Sequence, residues 1–299
     1  MNNNPKIAVV GSINTDQTVI AEHLPNKGET LFGSDINIVP GGKGANQAVA
    51  MAKLGATVEI FGCVGDDSNG QKMIENFKNN NVETKHLKIA KGIPTGIAII
   101  TLGDDDNTIV VVKGANNEVD KEYIDSIKEY LFEYDMVVLQ HEIPLETVHY
   151  VIELCNEKGI PTVLNPAPAE DVPMEIVDKV SYITPNEHEV GLIFGEDKSL
   201  EELLKKYPQK LIVTLGSEGV TTAIDKDTIL KVPARKANIV DTVGAGDTLN
   251  GAFCVRIAEG DNMEAALKYA NTAASLSIEK LGAQSGMPTK EEVEAASTK

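Results

Sequence analysis

Cysteine and basic residues are both scarce in this sequence of 299 residues. The three cysteines, Cys63, Cys155 and Cys254, lie far apart, with no CxxC pair and no Cys/His cluster. This pattern excludes a disulfide scaffold and a cysteine-based zinc site, and it indicates free thiols in a reducing compartment. Lys and Arg number 27 against 45 Asp and Glu, which gives a net charge of -18. Binders of nucleic acid or of anionic membranes need a basic face, so we expect neither partner.

The sequence also lacks a long apolar run. Its first residues, MNNNPK, lead directly into a strand-like segment, with no stretch that would serve as a signal peptide or a membrane span. We therefore expect a cytoplasmic protein. Hydrophobic residues make up 42% and charged residues 24%, which is typical of a globular chain with a large core.

The hydrophobic pattern predicts alternating strands and helices. The run KIAVVG at 6–11 is continuous and β-branched, as expected of a strand that is covered on both faces. Alternation of this kind favours a parallel sheet with crossover helices. Further strands are predicted at 58–64, 136–140, 162–165, 182–184, 211–215, 223–225 and 229–232, and helices at 45–54, 69–79, 145–158, from 186, and at 245–259, 263–281 and 290–296.

Two segments interrupt this alternation and predict a small β lid. The first contains the short pieces QTVIAE, GETLFG and DINIVP, separated by Pro25 and by glycines. The second, at 95–113, has two apolar runs around the turn GDDDN, which is typical of a hairpin. We interpret the acids of that turn as solvated rather than as metal ligands. The predicted organisation is a discontinuous lid at 15–40 and 95–113 on an α/β body formed by 1–14, 41–94 and 114–299.

Glycines precede two of the predicted helices. GGKGANQAVA at 41–50 is not a Walker A loop, because no Ser or Thr follows Lys43. DTVGAGDTLNGA at 241–252 is not GxGxxG, and KIAVVGSIN at the first strand also lacks that fingerprint, which argues against a dinucleotide oxidoreductase. Asp247 is either a first-turn helix acid or a general base beside free backbone N–H groups. Local features leave both readings open.

Polar and glycine-rich clusters follow five predicted strands. In open α/β sheets, ligands bind at the carboxyl ends of the strands, so these clusters predict a single cleft. His141 and His188 lie beside them without a second ligand at metal spacing, and we interpret both as structural or solvent-facing. The clusters contain Asn14 and Asp16; Glu142; Asn186 and Glu189; Thr214, Gly216, Ser217 and Gly219; and the DTVGAGD segment.

The motifs GSINTD, GGKGANQAVA, NPAPA, TPNEHE, TLGSEG and DTVGAGDTLNGA, taken in this order, make the chain resemble the PfkB carbohydrate kinase family. The resemblance runs from about residue 6 to 288 and is stronger to the ribokinases than to other members. It implies a ribokinase-like three-layer α/β/α body with a mostly parallel central sheet. It also implies transfer of the ATP γ-phosphoryl group to O5 of D-ribose, with Mg²⁺ accompanying ATP and K⁺ as activator.

The resemblance also implies residue roles. Asp247 is the base, and the backbone of Gly244, Ala245 and Gly246 is the anion hole. The sugar contacts are Asn14, Asp16, Gly42, Lys43, Asn46 and Glu142, together with Asp247. The nucleotide contacts are Asn186, Glu189 (with magnesium), Thr214, Gly216, Ser217, Gly219, Gly246 and Asn271. The monovalent cation site comprises Asp241, Val243, Ser277, Lys280, Gly282 and Gly286, where Gly286 stands in place of the Ser that ribokinases can carry.

Two alternatives remain. A sister kinase for deoxyribose, fructose or adenosine would present a different hydroxyl pattern to Asp16 and Lys43. A non-catalytic sugar or nucleotide sensor would use the same fold, but it would not need to retain Asp247. The resemblance further implies a homodimer through the lid, and apolar lid strands are compatible with one.

Overall fold

A computed structural model of the chain describes residues 4–104, 106–195 and 197–297. The strands are β1 Lys6–Val10, β2 Asn14–Ile20, β3 Asp35–Gly41, β4 Thr57–Phe61, β5 Cys63–Gly65, β6 Val82–Glu83, β7 Lys88–Ala90, β8 Gly96–Gly103, β9 Asp106–Val112, β10 Met136–Gln140, β11 Thr162–Asn165, β12 Tyr182–Ile183, β13 Ile212–Thr214, β14 Val220–Ala223 and β15 Ile229–Val232. The helices are α1 Lys43–Lys53, α2 Ser68–Asn79, α3 Lys121–Leu131, α4 Leu145–Lys158, α5 Met174–Lys179, α6 Glu187–Phe194, α7 Leu200–Lys206, α8 Ala245–Ala258, α9 Met263–Ser277, α10 Ala283–Gly286 and α11 Lys290–Ser297.

Six strands form a parallel central sheet in the order β12-β11-β10-β1-β4-β6. The chain adds β4 and β6 on one side of β1 and then returns to add β10, β11 and β12 on the other. The strand order therefore reverses beside β1, and the carboxyl ends of β1 and β10 open a crevice there. Two parallel bridges, Ile183↔Leu211 and Asn186↔Thr214, continue this sheet into the antiparallel sheet β13-β14-β15.

Alternate residues of β1 enter two separate cores. Ile7 and Val9 pack with α1, α8 and α9, whereas Ala8 and Val10 pack with α3 and α4 on the other face. Because side chains alternate along a strand, an uninterrupted apolar strand supplies both layers. Each fully buried aliphatic or aromatic side chain contributes about 1.5–3 kcal/mol. The predicted three-layer α/β/α arrangement is confirmed.

The predicted second sheet is also present, and its order is β3-β2-β8-β9. β2 pairs antiparallel with β3 but parallel with β8, so the sheet is mixed. Apolar side chains on it remain in contact with solvent, among them Ile36 at 57% and Val110 at 60% exposure. The turn between β8 and β9 includes Asp105, which lies outside the described residues. Among the helices within the described ranges, none is long and apolar enough to cross a membrane.

Several predicted elements were wrong in detail. GETLFG, within 28–33, forms no strand, and Phe32 in it is 98% exposed. The predicted strand 58–64 is divided at Gly62, because β5 leaves the central sheet to pair with β7. The strand predicted at 223–225 is β14, which ends at Ala223 because the Asp225 carboxylate accepts bonds from two backbone N–H groups and closes a turn.

Helix α3 was missed, although its sequence carries the usual signals. The carboxylate of Asp120 accepts from the N–H of Tyr123 and caps the helix. Tyr123, Ile124, Ile127 and Leu131 then form its buried face. The capping residue and the spacing of three to four residues were readable from the sequence.

Candidate active site

Asp247 lies in the first turn of α8, in the crevice at the carboxyl edge of the central sheet. Its side chain is only 6% exposed, and both carboxylate oxygens accept hydrogen bonds from α1. Asn46 Nδ2 donates to Oδ2 at 2.9 Å, and Gln47 Nε2 donates to Oδ1 at 3.0 Å. These two bonds fix the plane of the carboxylate, as a general base requires.

The backbone before Asp247 is shaped for an anion. Gly244 is left-handed, with φ of 80°, and a Cβ there would also lie 2.8 Å from Ala283 Cβ. Gly246 differs, because a Cβ at that position would meet no heavy atom within 4 Å. The first-turn N–H groups of a helix have no intrahelical acceptor and attract negative charge. Open space before these donors suits a phosphoryl group.

Two of the predicted sugar contacts are held in place by residues outside the predicted set. Asn14 Oδ1 accepts a bond of 2.8 Å from Asn116 Nδ2, and Asn116 also bonds the backbone of Ile13. Asp16 packs against Gly41, where a Cβ would lie 2.2 Å from the carboxylate. Gly41, the last residue of β3, therefore leaves room for the Asp16 carboxylate.

Electrostatics couple the acids of the crevice. Burial, followed by the charges of Glu142 and Asp247, raises the pKa of Asp16 to about 6. Burial alone would lower the pKa of Lys43, but Asp247, Glu142 and Glu189 outweigh it, so the pKa of Lys43 is raised. Lys43 is therefore a permanent cation among carboxylates, and it partly offsets their mutual repulsion.

Glu142 joins two of the predicted motifs. Its Oε2 accepts from Ser12 Oγ at 2.5 Å and from the backbone N–H of Lys43 at 2.9 Å. Ser12 Oγ in turn accepts from the N–H of Gly44. GSINTD and GGKGANQAVA are thus brought together by a carboxylate from the end of β10.

Asn186 and Glu189 form a capping box at the start of α6. Asn186 Oδ1 accepts from the N–H groups of His188 and Glu189, and Glu189 Oε2 accepts from the N–H of Asn186. Burial raises the pKa of Glu189, the capping bond opposes this rise, and so does the charge of Lys43. Thr214 lies beside Asn186 through the bridge between them. Asn186 and Glu189 therefore have a structural role as the helix cap, and Glu189 also lies within reach of the charge of Lys43.

The remaining predicted nucleotide contacts surround the end of β15. Asn271 Nδ2 donates to the carbonyls of Val232 and Pro233, at 2.7 and 3.2 Å. Gly219 lies against the same carbonyl of Val232, where a Cβ would be 2.1 Å away. Gly216 and Ser217 form an exposed 3₁₀ turn beside it. Asn271 therefore anchors this loop, with its side chain almost entirely buried.

The predicted cation residues converge behind the anion-binding turn. Asp241 Oδ2 accepts from the N–H of Gly282, and its Oδ1 accepts from the N–H of Val243. Gly286 lies so close to the carbonyl of Ser277 that a Cβ would be 2.5 Å from that oxygen, and Lys280 O is 3.5 Å away. A serine at 286 would require this segment to shift. Over the described residues, no group of three His, Cys, Asp or Glu side chains is arranged to hold a metal ion.

The sequence did not predict the side-chain amides that hold the candidate site residues in place. Gln47 lies within a quoted motif, but its bond to Asp247 had no sequence signal beyond adjacency to Asn46. Asn165 is the first residue of NPAPA but carried no predicted role, and Asn116, Gln140 and Gln284 lie outside the motifs. His141 is 1% exposed, and burial lowers its pKa to about 4, which fits the structural interpretation.

Comparison with known proteins agrees with this geometry. The sequence pattern of the pfkB family carbohydrate kinases matches residues 4–290. The chain is 48% identical to a ribokinase of Lactococcus lactis over 291 residues, which cover 97% of this chain and 96% of that protein. It is 36% identical to a deoxyribokinase of Salmonella typhimurium, over 96% of each.

Among solved structures, an Arabidopsis thaliana ribokinase complexed with ribose and ATP superposes with a TM-score of 0.89. It is 30% identical, and the match covers 99% of this chain and 100% of that one. A match over nearly all of both sequence and fold leaves one assignment: the chain belongs to the pfkB family of carbohydrate kinases.

Proposed function

We propose that this chain transfers the γ-phosphoryl group of ATP to O5 of D-ribose, giving D-ribose 5-phosphate and ADP. The observation that carries the proposal is the position of Asp247, a buried carboxylate held by two amides in the first turn of α8. The ribokinase relatives support the choice of ATP and ribose.

The sugar lies between the start of β2 and the start of α1. Asn14, Asp16, Lys43, Asn46 and Glu142 supply donors and acceptors for an uncharged polar ligand, and Gly42 allows the backbone to approach it. Several fixed partners are needed because each sugar hydroxyl leaves water on binding. This arrangement orients O5 towards Asp247.

Asp247 accepts the proton of the O5 hydroxyl as O5 attacks the γ-phosphorus. The O5–P bond forms, the bond from phosphorus to the β-phosphate bridging oxygen breaks, and ADP leaves. The N–H groups of residues 244–246 stabilise the charge that spreads over the equatorial oxygens. A positioned base of this kind contributes about 10²–10⁴-fold to the rate.

MgATP lies along the other side of the crevice. Thr214, Gly216, Ser217, Gly219 and Asn271 surround the nucleotide. Asn186 would face the phosphates with its amide, and Glu189 would act near the magnesium ion that ATP brings. With a net charge of -18 on the protein, a metal-free nucleotide anion would be repelled.

A monovalent cation would be held behind the anion hole. Asp241 and the carbonyls of Val243, Ser277, Lys280, Gly282 and Gly286 would supply the oxygen ligands that K⁺ favours. The convergence of Ser277 O and Lys280 O on Gly286 supports this assignment. When bound, K⁺ supplies positive charge beside the turn that receives the phosphoryl group.

The second sheet acts as the sugar lid and the dimer surface. Segments 15–40 and 95–113 form the lid, and the rest of the chain forms the body. Exposed aliphatic residues such as Ile38, Ile99 and Val110 give the lid an apolar surface that a second copy would cover. The size of the protein in solution tests this by light scattering: a mass of one chain contradicts the dimer. Three buried, unpaired cysteines are consistent with a cytoplasmic location.

One second candidate substrate is 2-deoxyribose, favoured by the 36% identity to a deoxyribokinase. Initial rates of ADP release with ribose, 2-deoxyribose, fructose and adenosine at fixed MgATP decide between them. We expect the highest kcat/KM for ribose. Preference for another sugar or nucleoside would assign a sister kinase, and tight ribose binding without turnover would assign a sensor.

A further inference from the structure

Each oxygen of Asp247 is the end of a chain of side-chain amides. On one side, Gln284 Nε2 donates to Asn46 Oδ1 at 3.0 Å, and Asn46 Nδ2 donates to Asp247. On the other side, Gln140 Nε2 donates to Gln47 Oε1 at 2.7 Å, and Gln47 Nε2 donates to Asp247. The two chains have the same polarity at Asp247, since Asn46 and Gln47 each accept through the side-chain oxygen and donate through the nitrogen.

This polarity matters because an amide side chain keeps its shape when its oxygen and nitrogen exchange places. If Asn46 turned over, its oxygen would face the Asp247 carboxylate, and two acceptors would repel each other. The donor from Gln284 prevents that by occupying Asn46 Oδ1. Bonds in such chains also polarise one another, which strengthens the last one.

Gln284 is itself fixed on its far side. Asn76 Nδ2 donates to Gln284 Oε1 at 2.8 Å, and the Gln284 side chain is 7% exposed. Its backbone is held separately, because Lys53 Nζ donates to the carbonyls of Gln284 and Met287. The relay, which is the hydrogen bond from the Gln284 side chain to Asn46, and the anchor, which is the pair of bonds from Lys53 to the backbone, can therefore be removed independently.

Gln284 belongs to α10, between Gly282 and Gly286. Gly282 donates to Asp241, and Gly286 lies against the carbonyl of Ser277. The amide chain thus connects this segment to Asp247 through α1. Of the bonds between the described residues, Gln284–Asn46 is the one that joins α10 to a residue in contact with Asp247.

We propose that Gln284 is a positioning residue, which sets the orientation of the Asn46 amide and thereby the proton-accepting position of Asp247. It does so from the segment that flanks the anion-binding turn. This inference rests on the proposed function, in which Asp247 is the base for ribose O5.

The first test is Gln284→Met, which keeps the length of the side chain and removes the donor. We expect kcat for ribose to fall about tenfold, the size of one good hydrogen bond, with an ATP KM within about twofold of wild type. Lys53→Met is the matched control: it removes the anchor of the same segment but leaves the relay, and its kcat stays near wild type.

A double-mutant cycle separates positioning from general packing. If Gln284 acts through Asn46, Gln284→Met lowers kcat less than about twofold in an Asn46→Ala background. An undiminished tenfold loss in that background overturns the proposal, as does a wild-type kcat for Gln284→Met alone. Wild-type protein that fails to phosphorylate ribose would instead contradict the proposed function.

Gln284→Glu serves as a second variant if the methionine variant does not fold. It keeps the acceptor for Asn76, and its carboxyl can donate to Asn46 Oδ1 only when protonated. The ratio of its kcat to that of wild type therefore rises as pH falls; a flat ratio contradicts the proposal. Side-chain amide NMR gives a readout without turnover: the Asn46 NH₂ resonances shift in Gln284→Met but not in Lys53→Met.

Discussion

The proposed sugar side and the proposed phosphate side of the crevice use different chemical groups. On the proposed sugar side, the assigned contacts are polar side chains that other residues hold in place: Asn116 donates to Asn14, and Ser12 donates to Glu142. On the proposed phosphate side, the assigned groups are the backbone N–H groups of residues 244–246 at the start of α8. Side chains there, such as Asn271, bond to loop carbonyls.

The difference follows from the two ligands. A sugar is neutral, and its hydroxyls must be told apart by direction, so the side chains that meet them have to be held rigidly. A transferring phosphoryl group is defined by charge, which the aligned N–H groups at a helix start stabilise without any side chain. Asp247 lies between the proposed sugar contacts and the proposed phosphate contacts.

Replacing Asp247 should have the largest effect on activity. Asp247→Asn removes the proton acceptor and also places an amide NH₂ against that of Asn46 or Gln47. We expect kcat to fall by at least ~10²-fold, measured as ADP release at saturating ribose and MgATP. Asp261→Asn, beyond the far end of α8, is the control and should retain wild-type kcat. A kcat near wild type for Asp247→Asn would remove the base assignment.

Asp16→Asn should affect ribose binding without affecting ATP binding. Loss of hydrogen bonds to a charged group should raise the ribose KM by about 10–100-fold and leave the ATP KM nearly unchanged. Because the pKa of Asp16 is about 6, the ribose KM of the wild type should also rise as pH falls below 6. An ATP KM that moved instead would place the sugar pocket wrongly.

Asp16→Asn should weaken ribose binding but increase the stability of the folded protein. The raised pKa means that the folded protein favours protonated Asp16, so its charge costs stability above the ordinary value of 3.8. Asp16→Asn should therefore raise the free energy of unfolding at pH 8 by about 1 kcal/mol, less than full linkage because Asp16 is partly exposed. Urea titrations should show the gain disappearing towards pH 4.

Gly246→Ala tests the phosphate side alone. A Cβ there meets no protein atom, and alanine favours helix by up to about 1 kcal/mol, so Tm should be kept or raised. The methyl group would occupy space before the anion-binding donors, and we expect kcat/KM for ATP to fall about tenfold. Gly191→Ala in α6, where a Cβ is equally unobstructed, is the control. Equal kinetics for the two variants would contradict the anion hole.

The smallest expected effect is that of the monovalent cation. Replacing K⁺ by tetramethylammonium at constant ionic strength should lower activity several-fold and leave ribose affinity, measured by calorimetry, unchanged. Asp241→Asn should make the rates in the two buffers alike. Equal wild-type rates in both salts would argue against a site at Asp241.

Local sequence was enough where one strand or helix carries its own signals. Helix α4 and strands β10 and β11 were predicted to the residue, because their apolar periodicity and the flanking Gly159 or Asp135 mark their ends. GETLFG fails for the converse reason. It has β-forming residues, but no neighbouring strand reaches it, and pairing is a tertiary property.

The motifs by themselves determined which side chains meet. GSINTD and DTVGAGD predicted Asp16 and Asp247 in one crevice, because parallel strands place their carboxyl ends at one edge. The family resemblance added Lys43 to the same site. Only the tertiary structure decided how these groups are held. Gln284 is more than 200 positions from Asn46 in sequence and 3.0 Å from it in space. A bond of that kind has no period and no local propensity, since it depends on the packing of α1 against α8 and α10.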